Sequence, residues 1–150
     1  MTDNLFSSVK KPVPKQIVSG TLFADGGARG NPGPAAGGCV LYDSKKKVLE
    51  KDSVWCGIQT NNFAEYAGMI CGLELAIKNE ITDLQIFLDS KLIVEQMSGR
   101  WKIKNANIKP LAEKAKNLCE NFHKIRFDHI PREKNKVADL LANQRMDRGQ

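Results

Sequence analysis

Thr21-Leu-Phe-Ala-Asp25-Gly26-Gly-Ala-Arg29-Gly-Asn31-Pro-Gly33 is the stretch on which the fold turns. A short apolar run ends at an acid, and four glycines and a proline follow. The run Thr21 to Asp25 reads as a strand. A phosphate-cradling loop of the G-x-G-x-x-G kind would open a helix, and a Walker loop would carry G-K-S/T. Here the glycines lead instead to Gly37-Gly-Cys-Val-Leu-Tyr-Asp43, a second strand, and Ser44-Lys-Lys-Lys47 turns into a third at about Val48 to Gly57. Strand, short turn, strand reads as an antiparallel hairpin. The glycines then read as backbone that a nucleic-acid strand can approach closely, where larger side chains would stand in the way.

Outward from the hairpin, Asn62 to Asn79 is the strongest helix, with Tyr66, Met69, Ile70, Leu73 and Ile77 on one stripe. Asn62 and Glu65 resemble a capping box at its start. Leu84 to Leu88 reads as a fourth strand ending at Asp89-Ser90, and Lys91 to Met97 as a short helix stopped by Gly99. After a basic loop, Ile108 to Phe122 reads as a helix with Leu111, Ala115 and Leu118 inward. Lys124 to Ile130 is a fifth strand, and Asn135 to Met146 a last helix carrying Val137, Leu140 and Leu141. The expected class is α/β: a five-stranded mixed sheet, antiparallel hairpin plus parallel strands, flanked by helices. Residues 1–18 are expected to be a flexible tail and 19–150 a single domain.

Composition narrows the function classes. The 150 residues contain no apolar run near the ~20 needed to span a bilayer. The opening MTDNLFSSVKKPVPKQIVSG lacks a continuous apolar segment, so neither a membrane protein nor a secreted one is expected. The net charge of +6 favours a polyanionic partner, weakly. Cys39, Cys56, Cys71 and Cys119 form no C-x-x-C pair, and no histidine stands at zinc-site spacing from two of them. Free thiols in a reducing cytoplasm are expected.

Four acids fall where elements begin or end: Asp25 after the first strand, Glu65 at the start of the first long helix, Asp89 after the fourth strand and Asp139 in the last helix. Sites in open α/β sheets gather beyond the strand ends, where strand order switches. Four carboxylates gathered there repel unless cations lie among them, and an all-oxygen ligand set selects magnesium first and manganese next. Each acid also has a purely structural reading, as a turn aspartate, a capping-box partner, a helix cap or a dipole partner.

Asp25-Gly-Gly-x-Arg-Gly-Asn-Pro-Gly, Thr60-Asn-Asn-x-x-Glu65, Leu88-Asp89-Ser90 and Asn135-x-x-Ala-Asp139 occur in that order. Together they resemble the ribonuclease H family, type 1, over about Gly20 to Met146. The resemblance implies cleavage of the RNA strand of RNA–DNA hybrids to 5′-phosphate and 3′-hydroxyl products. It implies two Mg2+ ions per site, with Mn2+ as a substitute, on Asp25, Glu65, Asp89 and Asp139. Gly26, Asn31, Asn61 and Asn62 match family positions that contact the hybrid, where amides can bond the 2′-hydroxyls that separate RNA from DNA. Thr60 and Arg29 are candidate DNA-phosphate contacts.

Trp101 sits among Arg100, Lys102 and Lys104, which suits packing on a sugar beside phosphates; anchoring a loop on the core is the competing reading. The short segment between the two middle helices leaves no room for the basic protrusion of some family members, so the chain resembles the compact, archaeal-like subgroup. His129 stands ten residues before Asp139, as a catalytic loop histidine does elsewhere in the family, but it reads as part of the fifth strand. In the compact subgroup an arginine of the His-x-Pro-Arg-Glu pattern takes the place near the metals, which is Arg132 here. An arginine cannot serve as a base near neutral pH and would hold a phosphate or the leaving product. Arg132 is favoured over His129 for the catalytic role. Two further readings stand beside a hybrid-specific nuclease: a broader one that also cuts double-stranded RNA, and a non-catalytic hybrid-binding module. No obligate protein partner and no membrane partner is expected, and a monomer is.

Overall fold

The computed structural model describes residues 13–150, so residues 1–12 of the expected tail lie outside it. The elements are β1 (Ser19–Ala28), β2 (Gly33–Asp43), β3 (Val48–Gln59), α1 (Asn61–Lys78), β4 (Asp83–Leu88), α2 (Lys91–Met97), α3 (Lys109–Cys119), β5 (Lys124–His129) and α4 (Lys136–Arg148), with a 3-10 turn at Arg132–Lys134 before α4. One five-stranded sheet runs β3-β2-β1-β4-β5. The β1–β2 and β2–β3 pairs are antiparallel, and β1–β4 and β4–β5 are parallel. This is the expected mixed sheet.

The glycine-rich stretch is more strand than turn. Gly26 pairs Gly37, Gly27 pairs Ala36 and Ala28 pairs Ala35, and the Arg29 N–H closes the remaining turn on the Pro34 carbonyl at 2.9 Å. Glycine disfavours strand, but antiparallel pairing with β2 engages this backbone and overrides that preference.

Helix α1 begins one residue earlier than expected. Thr60 is its cap, with Oγ1 accepting the Phe63 N–H at 3.2 Å. The Asn62–Glu65 capping box is therefore not formed, and Glu65 lies in the second turn with its side chain released from capping. Helix α3 is shorter than expected, and its buried face is Ala112, Ala115 and Cys119, with Leu111 and Leu118 half-buried at the flanks. In α4 the larger apolar residues are not the inward ones: Val137 is 42% and Leu140 55% exposed, while Ala138 and Ala142 are buried. Small residues win there because α4 lies hard against the sheet. A Cβ on Gly38 would come within 2.5 Å of the Ala138 carbonyl oxygen.

A Cβ on Gly37 would meet Gly68 of α1, and one on Gly38 would meet α4. Successive strand residues face opposite sides, so α1 and α4 cover opposite faces of the sheet. The core lies on the α1 side, where Leu22, Ala24, Cys39 and Leu41 pack with Tyr66, Met69, Leu73, Ile93, Ala115 and Phe122. None of the four cysteines is in a disulfide; Cys39 and Cys119 are buried, Cys56 and Cys71 half-buried. A hydrogen bond with Cys71, then burial, pushes the Cys39 thiol far above its usual range. Burial raises the Cys56 thiol to about 11. Among the described residues no helix is long and apolar enough to cross a membrane.

Candidate active site

The parallel β1–β4 ladder ends at the pair Ala24–Leu88, so Asp25 and Asp89 are the next residues on two neighbouring strands. Glu65 arrives from α1, which lies unusually close. A Cβ on Gly26 would stand 2.2 Å from the Ala64 carbonyl group, and one on Gly68 2.2 Å from the Asp25 carbonyl oxygen. The absent side chain of Gly26 thus makes room for the helix that carries Glu65. Asp25, Glu65 and Asp89 each present a carboxylate oxygen, and the three oxygens lie within 4.8 Å of one another. Asp139, in the first turn of α4, lines the same cavity but stands outside that tight set.

Asp25 is 7% exposed, and its Oδ1 accepts the Gly26 N–H at 2.9 Å. Burial first, then the charge of Asp89, pushes its carboxyl up to about 8; Glu65 and Asp139 add to the rise, and the Gly26 N–H opposes it. Burial and then Asp89 raise Glu65 to about 7, against the lowering charge of Arg132. Three acids at this range, two of them strained towards the neutral form, gain most from a cation placed among them. The donors are all carboxylate oxygens, which fits a hard divalent ion.

The cavity above the acids has a volume of about 480 Å³, and Gly26, Arg29, Asn61 and Arg132 line it with the four acids. Arg29 pairs with Asp147 and donates from Nη2 to the Asn143 carbonyl at 3.3 Å. Asn61 Oδ1 accepts the Ala28 N–H at 2.8 Å, and Asn31 Oδ1 accepts the Asn61 N–H at 3.0 Å. These two amides therefore fasten the β1–β2 turn to the start of α1. His129 does not line the cavity; it ends β5, and its Nε2 lies 3.2 Å from the Asp89 carbonyl, to which it donates as the Nε2–H tautomer.

A second cleft, of about 220 Å³, brings Asn62 together with Lys102 and Lys104. Trp101 is 45% exposed, with Lys91 Nζ 6.0 Å from its ring centroid, so it does not anchor the loop in the core. The Ser98–Ile108 connection contains no helix.

Sequence reasoning missed Asn143 and Met146, which line the acid cavity. They sit four and seven residues after Asp139, a spacing that puts them on one helix face and would have found them. It also assigned no role to Asn135, which is buried beside Asp89.

Residues 23–145 match a family described as reverse transcriptase-like. A bifunctional protein of Mycobacterium tuberculosis is 46% identical over 127 residues, 84% of this chain but 35% of that protein. The solved structure of its N-terminal RNase H domain, fused to maltose-binding protein, superposes with a TM-score of 0.85 at 45% identity, over 87% of this chain and 95% of that one. RNase H1 of the halophilic archaeon Halobacterium salinarum superposes with a TM-score of 0.84 at 34% identity, over 87% and 99%. LC11-RNase H1, solved in complex with an RNA/DNA hybrid, superposes at 0.80 with 39% identity, over 86% and 97%. The chain spans about a third of the length of the mycobacterial protein.

Proposed function

The chain belongs to the ribonuclease H family, type 1, and on that premise we propose that it is a metal-dependent endoribonuclease that cuts the RNA strand of RNA–DNA hybrids. The observation that carries this reading is the convergence of Asp25, Glu65 and Asp89 oxygens within 4.8 Å on the floor of an open cavity. Asp25, Glu65, Asp89 and Asp139 would hold two Mg2+ ions, with Mn2+ as a substitute. Ions bound by these four acids would supply activation of a water and stabilisation of the departing 3′ oxygen, and the expected products are 5′-phosphate and 3′-hydroxyl ends.

The protein's own groups divide the remaining work. Arg132 lies at the cavity wall, where its cation faces Glu65 and can hold a phosphate of the substrate or product. Asn61 and the backbone at Gly26 line the cavity and would contact 2′-hydroxyls of a bound RNA strand. Asn62, Lys102 and Lys104 share the neighbouring cleft and would grip backbone phosphates, with Trp101 packing on a sugar beside them. Four cysteines outside any disulfide accord with a reducing cytoplasm.

The test is a labelled RNA–DNA hybrid, an RNA duplex and a DNA duplex incubated side by side with Mg2+ and with EDTA. Cleavage of the hybrid's RNA strand, abolished by EDTA, is expected, with the DNA duplex intact. Cutting of the DNA duplex at a comparable rate would overturn the reading, and cutting of the RNA duplex would broaden it.

A further inference from the structure

We propose that Asn135 is a positioning residue that sets the Asp89 carboxylate for a divalent ion; the inference rests on the metal reading of the site given above. Asn135 stands immediately before α4, where asparagine ordinarily caps the helix with its side chain. It makes no such cap. The side chain is 1% exposed and turns inward, and Nδ2 donates to the Ala24 carbonyl at 2.8 Å and to Asp89 Oδ2 at 3.3 Å. Its backbone carbonyl accepts the Asp139 N–H at 3.1 Å. One residue therefore ties β1 at Ala24, next to Asp25, to the carboxylate of Asp89 and to the helical turn that carries Asp139.

The other end of the amide shows what the residue is kept for. Asn135 Oδ1 is, among the described residues, the one buried side-chain polar atom without a hydrogen-bond partner. Leaving a buried acceptor unmade costs stability, as does giving up the cap. Turned the other way, the amide would set Oδ1 against a carbonyl and a carboxylate, so only this orientation is compatible with its neighbours. A residue held at this cost for its donor is one whose donor matters. With Oδ2 held, rotation of the Asp89 carboxylate is restricted, and both of its oxygens are oriented before any ion arrives. Groups that orient a metal-binding carboxylate in this way typically contribute 10–100-fold to affinity.

Calorimetric titration of Mn2+ into the substrate-free parent and Asn135→Ala tests this, together with hybrid affinity and thermal unfolding in EDTA. The variant should bind Mn2+ about 10–100-fold more weakly, while its affinity for hybrid in EDTA stays at the parent's level. Equal Mn2+ affinity in a folded variant would overturn the role of Asn135 and leave the metal site standing. A parent that takes up no Mn2+ would overturn the reading of the site itself. Asn135→Leu keeps the buried volume and is read in the same way if the alanine variant does not fold. Failure of both to fold in EDTA would make Asn135 a purely structural residue and refute the proposal.

Discussion

The Tyr66 hydroxyl donates to Gln96 Oε1 at 2.7 Å, both groups buried, across the junction of α1 and α2. Tyr66 follows Glu65 in α1, and Gln96 Nε2 in turn lies 3.5 Å from the Lys102 carbonyl of the basic loop. The pair thus joins the helix bearing an acid of the site to the segment bearing its cations. Gln96→Leu leaves the Tyr66 hydroxyl buried without its partner, which costs about 1–3 kcal/mol. Urea unfolding should show that loss, and the double variant with Tyr66→Phe should recover much of it.

Gly26→Ala should be far more damaging than Gly27→Ala. The new methyl at position 26 would meet Ala64 backbone at 2.2 Å, whereas at position 27 the nearest atom is Met146 Cε at 3.8 Å. Overpacking of this kind costs about 1–3 kcal/mol or more. Because the obstructed neighbour is the helix that carries Glu65, hybrid cleavage should fall together with the melting temperature in the first variant and in neither respect in the second.

Without metal, stability should fall as pH rises through the range where the buried acids ionise. Asp25 and Glu65 titrate in the folded protein at about 8 and about 7, against ordinary values of 3.8 and 4.5. Between those limits the folded state binds more protons than the unfolded one, so raising the pH favours unfolding. Thermal unfolding in EDTA should therefore show a lower midpoint at pH 8 than at pH 5.5. Asp25→Asn should flatten the dependence and gain on the order of 1 kcal/mol or more at pH 8. Mg2+ should stabilise the parent at pH 8 more than the variant, by mass action. A pH-independent midpoint in EDTA would mean that the acids do not share a strained site.

Arg132→Ala should lower turnover about 10²-fold, the usual cost of removing one preorganised donor. His129→Ala, which removes a bond to the Asp89 carbonyl, should act more on stability than on turnover. Steady-state kinetics and melting curves on the two variants separate the roles, and the reverse pattern would give the catalytic role to His129 instead.

Lys102→Ala and Lys104→Ala should raise KM more than they lower kcat, since uniform binding is what they would supply. Each should also reduce the salt slope of hybrid binding by about 1 if it meets a phosphate. Trp101→Ala should raise KM without changing the slope.

The element order, the mixed sheet and the four acids were readable from the chain because each rests on a local signal: apolar runs, turn residues, an acid at a strand end. What was not readable depended on close approach between distant segments. Glycines 26 and 27 read as lying beyond the first strand, yet pairing with β2 holds them in strand, and only the position of α1 shows why residue 26 has no side chain. Leu140 reads as core from its hydrophobicity, but α4 sits too near the sheet for it and turns alanines inward. Asn31 and Asn61 read as contacts for a ligand, and nothing local shows that their Oδ1 atoms also fasten the β1–β2 turn to α1. The local sequence carries no sign of which hydrogen bonds a polar side chain will find across the fold.

The thiols offer a readout of this molecule's opening that needs no substrate. Alkylating reagents attack thiolates; a hydrogen bond with Cys71 and then burial keep Cys39 protonated at neutral pH in the folded chain, and burial does the same for Cys56. Modification of Cys39, buried in the core on the α1 face of β2, then requires that core to open, so its labelling rate follows the population of open molecules. Cys39 belongs to β2, the strand between β1 and β3. Mass-resolved labelling over time would give the opening free energy of the core next to the acids. Comparing that rate with and without divalent ion would show how far loading the cavity rigidifies the strand beneath it.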